Sequence, residues 1–383
     1  RILQTTNTPM FTGAGFIGQG TNVEAIRRVY SQQLNEQVLS AKTGVAEMDS
    51  YLSQIGQIDN LLADPSAGLS PAMSAFFTAV QEMTANPASI PARQVMLSAS
   101  ESLVARFQAI DERLSEIRTG VNAQVTSEVA AINSYAKEIA EINQRIVLAQ
   151  AAGTNQPAND LLDQRDQLVA ELNTKIRATT VTQSDGTFSV FIGNGQALVV
   201  GRLNYTLRAA AAPDDPERFI VGLQSPSGNT VLMPDSILKG GALGGLIAFR
   251  GESLDAAQNA LGRIALTLAT NFNDQHRLGQ DLSGALGGNY FDPVLAGPVV
   301  HENSGNTGSG VFAATLNTVG NLTTSDYRLL YDGSGYILQR LADNTSQTYT
   351  LGSVVDGFSI DLSSGAPAAG DSFLIQPTRA GAA

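Results

Sequence analysis

Imidazoles, thiols and grouped carboxylates carry most protein-based chemistry, and this 383-residue chain holds few of them. It has no cysteine, which removes disulfides, thiolate nucleophiles and cysteine-based metal sites together. Its only imidazoles are His276 and His301. The neighbourhood of Asp274, His276 and Asp281 is one from which a hydrolytic or metal cluster could be drawn. The plainer reading is a solvated helix end, where a cationic or polar side chain suits the negative pole. Asp160, Asp163 and Asp166, with Arg165 among them, recur at helical spacing and could chelate a divalent ion. As ordinary structure they are the exposed face of a helix start. Gly13-Ala14-Gly15-Phe16-Ile17-Gly18 has the letters of a dinucleotide fingerprint, which works only between a buried strand and a helix that returns to a parallel strand. Thr8-Pro9 interrupts that approach and no strand pattern follows until past Lys175, so a glycine-rich arm is expected instead. Asn321-Leu322-Thr323 and Asn344-Thr345-Ser346 match the N-glycosylation acceptor pattern, which is frequent by chance. There is no His-Glu-x-x-His run, nucleophile elbow or phosphate loop. The residues predict no catalytic group, no cofactor-binding residue, no metal ligand and no cofactor: a protein that is not an enzyme.

Composition points the same way. A net charge of −12 lacks the basic stripe of a nucleic-acid-binding module and is unsuited to an anionic membrane surface. No apolar run of about 18 residues is present to span a bilayer, and no basic-then-apolar leader is visible at Arg1. The length allows two or three domains of ordinary size.

The elements that would position any site are long helices. Leu103, Phe107, Ile110, Leu114, Ile117 and Val121 alternate four and three apart, and Val125, Ile132, Ile139 and Ile146 resume the stripe after a stutter near Gly120. Gly153-Thr154-Asn155-Gln156-Pro157 should turn the chain, and Asn159 should start a returning helix. Upstream, Val23, Ile26, Tyr30, Leu34, Val38, Ala41, Val45, Met48, Leu52 and Ile55, continuing to Leu62, predict a helix capped at Thr21 or Asn22, with that stripe packed along another helix. It should end at Ala63-Asp64-Pro65-Ser66, before a shorter helix over 71–84. Beyond Asn173 the period falls to two. Strands are expected over 179–183, 187–192, 197–200, 204–208 and 218–224, with turns at Asp185-Gly186 and Pro226-Ser227-Gly228-Asn229. Leu243 to Phe272 restores the helical pattern, and from Gly279 onward short strands dominate: 327–331, 336–340, 348–351 and 373–376. The expected class is α+β and multidomain: an elongated helical bundle with a small inserted β region, then an all-β sandwich or barrel-like domain. Its parts are an extended arm (1–20), the first part of the bundle (21–178), an antiparallel insert (179–239), a returning helix (240–285) and the β domain (286–383).

Several stretches resemble one family. Asn159-Asp160-Leu161-Leu162-Asp163-Gln164-Arg165-Asp166-Gln167-Leu168-Val169 is similar to the hallmark of bacterial flagellar hook-associated protein 1. Ile58-Asp59-Asn60-Leu61-Leu62, Pro91-Ala92-Arg93-Gln94, Gly244-Gly245-Leu246-Ile247 and Phe272-Asn273-Asp274-Gln275-His276 agree in the same order. The likeness is dense from Thr21 to Pro293 and thinner beyond, where Gly370-Asp371-Ser372-Phe373 resembles the family's closing strand. This resemblance implies a structural component of the hook–filament junction, needed for filament assembly and exported through the flagellar type III channel without a cleaved signal peptide. The implied location is extracellular. Implied partners are the hook protein, the next junction protein, further copies in a ring, and an export chaperone bound through a C-terminal segment. It also implies that the chain is a fragment lacking both terminal segments, monomeric by itself. An alternative is a secreted adhesin or antigen whose β domain binds a ligand through Tyr290, Phe291, Phe312, Tyr327, Tyr331 or Tyr336.

Overall fold

The computed structural model describes residues 2–26, 28–62, 68–152, 158–225, 228–292 and 297–383. The chain opens in strands: β1 (Ile2–Thr6), β2 (Met10–Phe11), β3 (Phe16–Ile17) and β4 (Thr21–Ile26). β1 pairs antiparallel with β4, from Ile2↔Ile26 to Thr6↔Thr21, and β2 pairs with β3 at the tip. The helix expected from Thr21 or Asn22 therefore starts only at Gln32. Residues 21–26 satisfy their backbone across a hairpin, a tertiary partner that helical periodicity does not reveal.

Helices follow as α1 (Gln32–Leu62), α2 (Leu69–Ala85), α3 (Ile90–Ala151) and α4 (Asn159–Lys175). The turns expected at 63–66 and 153–157 lie outside the described residues. α3 is one unbroken helix of 62 residues, far longer than an ordinary globular helix. Its predicted stripe is its buried face: Leu103, Ile110, Leu114, Val121, Val125, Ile132, Ile139 and Ile146 are almost fully enclosed. α1 behaves oppositely. Leu34, Val38, Val45, Met48 and Leu52, the expected seam, are 51–62% exposed, while Leu39, Thr43, Gln54 and Ile58 face inward.

The β region after α4 holds β5 (Ala178–Thr182), β6 (Phe188–Ile192), β7 (Gln196–Val200) and β8 (Leu203–Asn204) as an antiparallel meander. A three-stranded sheet of β9 (Thr206–Ala211), β10 (Phe219–Gln224) and β11 (Thr230–Leu232) follows, with β10 in the middle. Asp185 and Gly186 form the expected β5–β6 turn, where Asp185 accepts from the Thr187 backbone N–H at 3.0 Å. Residues 226–227 of the next expected turn lie outside the described residues.

The helix pattern then returns as α5 (Gly241–Phe249), a widened π turn (Arg250–Leu254) and α6 (Asp255–Arg277). Gly245 allows α5 to meet α1 closely, since a Cβ there would lie 2.2 Å from the Glu47 carbonyl oxygen. The last strands are β12 (Val299–Glu302), β13 (Val311–Leu316), β14 (Tyr327–Tyr331), β15 (Tyr336–Arg340), β16 (Thr345–Tyr349), β17 (Phe358–Ser364) and β18 (Ser372–Gln376). A five-stranded sheet in the order β12-β18-β14-β15-β16 faces the β13–β17 ribbon across Phe312, Leu329, Leu338, Phe358, Ile360, Phe373 and Ile375. Each such side chain contributes about 1.5–3 kcal/mol relative to exposure. The all-β expectation describes this part, although β12, β13 and β17 were not among the expected strands.

By contact the described chain forms two compact units. One comprises residues 1–50, 126–209 and 221–245; the other comprises 51–125, 210–220 and 246–383.

Candidate functional site

Most of the candidate chemical residues are occupied in local pairings. Asp274 pairs with Arg277 within α6, and Asp281 caps a turn by accepting from the Ser283 and Ala285 backbone N–H groups at 2.8 and 2.9 Å. His276 Nδ1 lies 2.8 Å from the Gly288 carbonyl, and its ring packs beside Phe272 and Tyr290. His301 sits in β12 opposite Leu374. Among the described residues no three histidines or acids converge as metal ligands. On α4, Asp163 and Asp166 both pair with Arg28, at 2.9 and 2.5 Å, while Asp160 is exposed. Arg165 instead turns inward, donates to the Gly186 carbonyl at 2.7 Å and lies 3.3 Å above the Phe188 ring. Burial lowers its pKa to about 10. Gly13 and Gly15 shape the β2–β3 tip rather than a strand-to-helix phosphate loop. Of the aromatic residues named for ligand binding, Phe312 and Tyr327 are enclosed in the β core.

What the polar side chains do build is a set of joints between helices and strands. A side-chain amide presents the same donor and acceptor as a peptide group, so one asparagine can pair with a strand as a neighbouring strand would. Asn133 of α3 donates to the Leu207 carbonyl at 2.9 Å and accepts from the Leu207 N–H at 2.8 Å. Asn143 does the same with Phe188, at 2.8 and 3.0 Å, and also donates to the Gly201 carbonyl at 2.6 Å. Asn122 bridges the Glu217 carbonyl and the Phe219 N–H at 2.7 and 3.1 Å. These positions are about three helical turns apart. Asn173 accepts from Thr43 Oγ1 and the Ala178 N–H at 3.2 and 3.1 Å. Asn273 of α6 holds the 290–291 segment by accepting from both backbone N–H groups and donating to the Phe291 carbonyl.

The second unit adds a charged knot. Asp255, at the start of α6, receives Arg118 of α3 at 2.5 Å, Arg218 at 3.2 Å and Arg379 at 3.3 Å. Arg379 also reaches Asp326 at 2.8 Å and Asp215 at 4.0 Å. Gln258 accepts from Arg118, and Asn259 donates to Asp326 and to the Thr324 carbonyl. Burial pushes the Asp255 carboxyl up, yet Arg118, Arg379 and Arg218 outweigh it and hold the group below its ordinary range. At Asp326 burial wins over Arg379, with Asp255 adding to it, so that carboxyl is raised. The turn carrying Arg379 lies flat on α6 at Gly262, where a Cβ would meet the Thr378 carbonyl oxygen at 1.8 Å.

None of the joints was expected from the sequence. The one local sign was polar residues interrupting apolar stripes, such as Arg118 beside Ile117 and Asn143 beside Ile142.

The arrangement fixes strands to helices and gathers no reactive groups, so kinship decides what the scaffold serves. Residues 55–291 match the model of the flagellar hook-associated protein FlgK helical domain, and residues 301–377 match that of the D2-like domain of flagellar hook-associated protein 1. Flagellar hook-associated protein 1 of Salmonella typhimurium is 35% identical over 381 residues, taking in 98% of this chain and 68% of that protein. The chain belongs to the flagellar hook-associated protein 1 family. The Escherichia coli member is 33% identical over 380 residues, covering 98% of this chain and 69% of its own. The solved flagellar hook junction protein FlgK from Burkholderia pseudomallei superposes with a TM-score of 0.84 at 37% identity, over 92% of this chain and 63% of that one. The chain thus spans about two thirds of the length of these relatives. Placed on the family's domains, the knot runs from Arg118, Asp255 and Asn259 in the helical domain to Asp326 in the D2-like domain.

Proposed function

We propose that this chain is a structural component of the bacterial flagellum that forms the junction between hook and filament and is needed for filament assembly, without catalysis. The observation that carries this reading is the alignment to hook-associated protein 1, 35% identical over 98% of the chain and spanning both the helical and the D2-like domains. In this reading the helical domain (21–178 and 240–285, with the insert 179–239) makes the lateral contacts, and the β domain (286–383) offers surface to neighbouring subunits or to solvent. The exposed stripe of Leu34, Val38, Val45 and Met48 supports that division, because heptad-spaced apolar residues on a solvent face suit a further helix. The partners are the hook protein, the next junction protein and further copies in a ring, with an export chaperone during type III export. A single lateral contact is weak, so the isolated chain is monomeric at micromolar concentration, and ring closure supplies avidity.

The test is electron microscopy of cells lacking the gene, complemented with the full-length protein. Bare hooks with flagellin shed into the medium, and filaments restored on complementation, are expected. Normal filaments on the deletion strain would refute the role.

A further inference from the structure

We propose that the apolar tip of the β2–β3 hairpin docks into the groove between α2 and α6 of a second copy of this chain. The inference rests on the junction reading, in which copies assemble side by side. Met10, Phe11, Phe16 and Ile17 form the tip and are 56–74% exposed, with the two phenyl rings 5.2 Å apart. Phe11 and Phe16 stand directly opposite each other in the β2–β3 pairing and support the hairpin locally, yet most of their surface covers no core and faces solvent. Gly13 and Gly15 hold the turn with φ of 82° and 153°, conformations that keep the tip tight and the rings beside each other.

The receiving surface lies within the second compact unit. It is an open groove of about 620 Å³ lined by Met73 and Phe77 of α2, Ile264 and Leu268 of α6, and Val319. An apolar cavity of about 150 Å³ accommodates a benzene ring, so the groove has room for the paired rings and a flanking aliphatic side chain.

Charge names the occupant. The chain carries −12, so most approaches of one copy to another bring carboxylates together. Residues 2–23 contain no charged side chain at all. The groove lining contains no carboxylate and one cation, Arg263. Tip and groove are therefore surfaces that two acidic copies can join without bringing carboxylates together, and the one charge at the groove, Arg263, already donates to the Leu322 carbonyl. Because they are different surfaces, the contact is head-to-tail and propagates to a ring or an open chain rather than stopping at a symmetric dimer.

The absence of native cysteine makes disulfide trapping clean. Chains carrying Ala14→Cys at the tip are mixed with chains carrying Thr267→Cys in the groove under mild oxidation. The mixed dimer should form about tenfold faster than either like pair, and than Ala14→Cys with Ser127→Cys on an exposed part of α3, because docking raises the local thiol concentration. Adding Phe16→Asp to the tip chain should remove that advantage; Phe16 is 74% exposed, so an unchanged melting curve is expected to show an intact fold. A mixed pair no faster than the Ser127→Cys control, a dominant tip-to-tip disulfide, or no effect of Phe16→Asp would each overturn the contact. Full-length protein that restores filaments while the mixed disulfide forms at the control rate would retain the junction role and reject this interface.

Discussion

Both compact units use side-chain amides to hold backbone, Asn133 and Asn143 in one and Asn122 and Asn273 in the other, and the second adds a cluster of charges. In the unit that contains Asn133, Asn143 and Asn173, neutral amides pair with strand backbone as though each were one more peptide group. In the unit that contains Asp255 and Arg379, three arginines and three acids tie α3 and α6 to the loops and the last turn, beside the amide joints at Asn122 and Asn273. Amide joints are indifferent to pH and cost little to desolvate. A buried charge cluster is costly to desolvate, tolerates no missing member, and answers to acid. The difference is a contrast of sensitivity more than of strength.

The sharpest way to expose it is to remove one cation. Arg379→Met leaves Asp255 and Asp326 buried with fewer partners and should lower stability by about 3–5 kcal/mol in chemical denaturation, with the methionine filling the space of the stem. A loss below about 1 kcal/mol would show that water or rotation of Arg218 replaces the guanidinium. Asn143→Ala should cost less, about 1–3 kcal/mol, by leaving the Phe188 backbone groups and the Gly201 carbonyl without their partner. That loss should be the same at every pH, since no titrating group takes part in the joint.

Acid separates the two designs directly. The Asp255 carboxyl lies below its ordinary 3.8, so its stabilisation is present above that value and drains away as pH falls through the lower folded one. Asp326 is raised above 3.8, so its contribution is full below that value and is lost as pH rises through the raised one. The two slopes oppose each other. Asp326→Asn removes the slope above 3.8, so the gain on acidification toward that value should disappear while the loss below it remains, and the net fall in stability from neutral to acid pH becomes larger. Hydrogen exchange, corrected for intrinsic rates, should then rise at the start of α6 while Phe188 and Leu207 keep their protection. The smallest effect belongs to the solvent face of α1, where Val45→Ser and Met48→Ser should each change stability by less than about 0.5 kcal/mol. The same changes in full-length protein should impair filament formation if that face meets a further helix.

Much of the scaffold was legible because it repeats. The stripe from Leu103 to Ile146 marks α3 wherever it is read, and its residues are the buried ones. The same logic named the α1 stripe as apolar and expected it to be packed, whereas in this chain it faces solvent. Periodicity shows which residues share a face, but not whether Thr43 and Gln54 on another face have partners waiting. Thr43 does, in Asn173, and a hydrogen bond across 130 positions leaves no local trace. Residues 21–26 show the same limit, since their partner strand is 2–6. The amide joints were hidden for a related reason. Asn143 meets Phe188 and Gly201 through backbone atoms, which every residue type possesses, so nothing in the partner's identity points back. Arg118 and Arg379 were likewise unreadable, being far apart in the chain and ordinary in type.

The widened turn at Arg250–Leu254 has a consequence for how this chain can change length. A π turn holds one residue more than the regular turn around it, and the helix on either side keeps its direction. Gly251 sits in that turn with open space about its Cα, and Arg250 is buried, donating to the Phe219 carbonyl. A variant one residue shorter here can close the turn to ordinary helix and leave Leu246 and Asn259 on their present sides. Elsewhere in the helix a deletion would swing every later side chain by about 100° and pull Asp255 or Asn259 from its partners. The turn is thus a slot where insertion and deletion are absorbed, in a helix otherwise fixed in length by the groups it must meet.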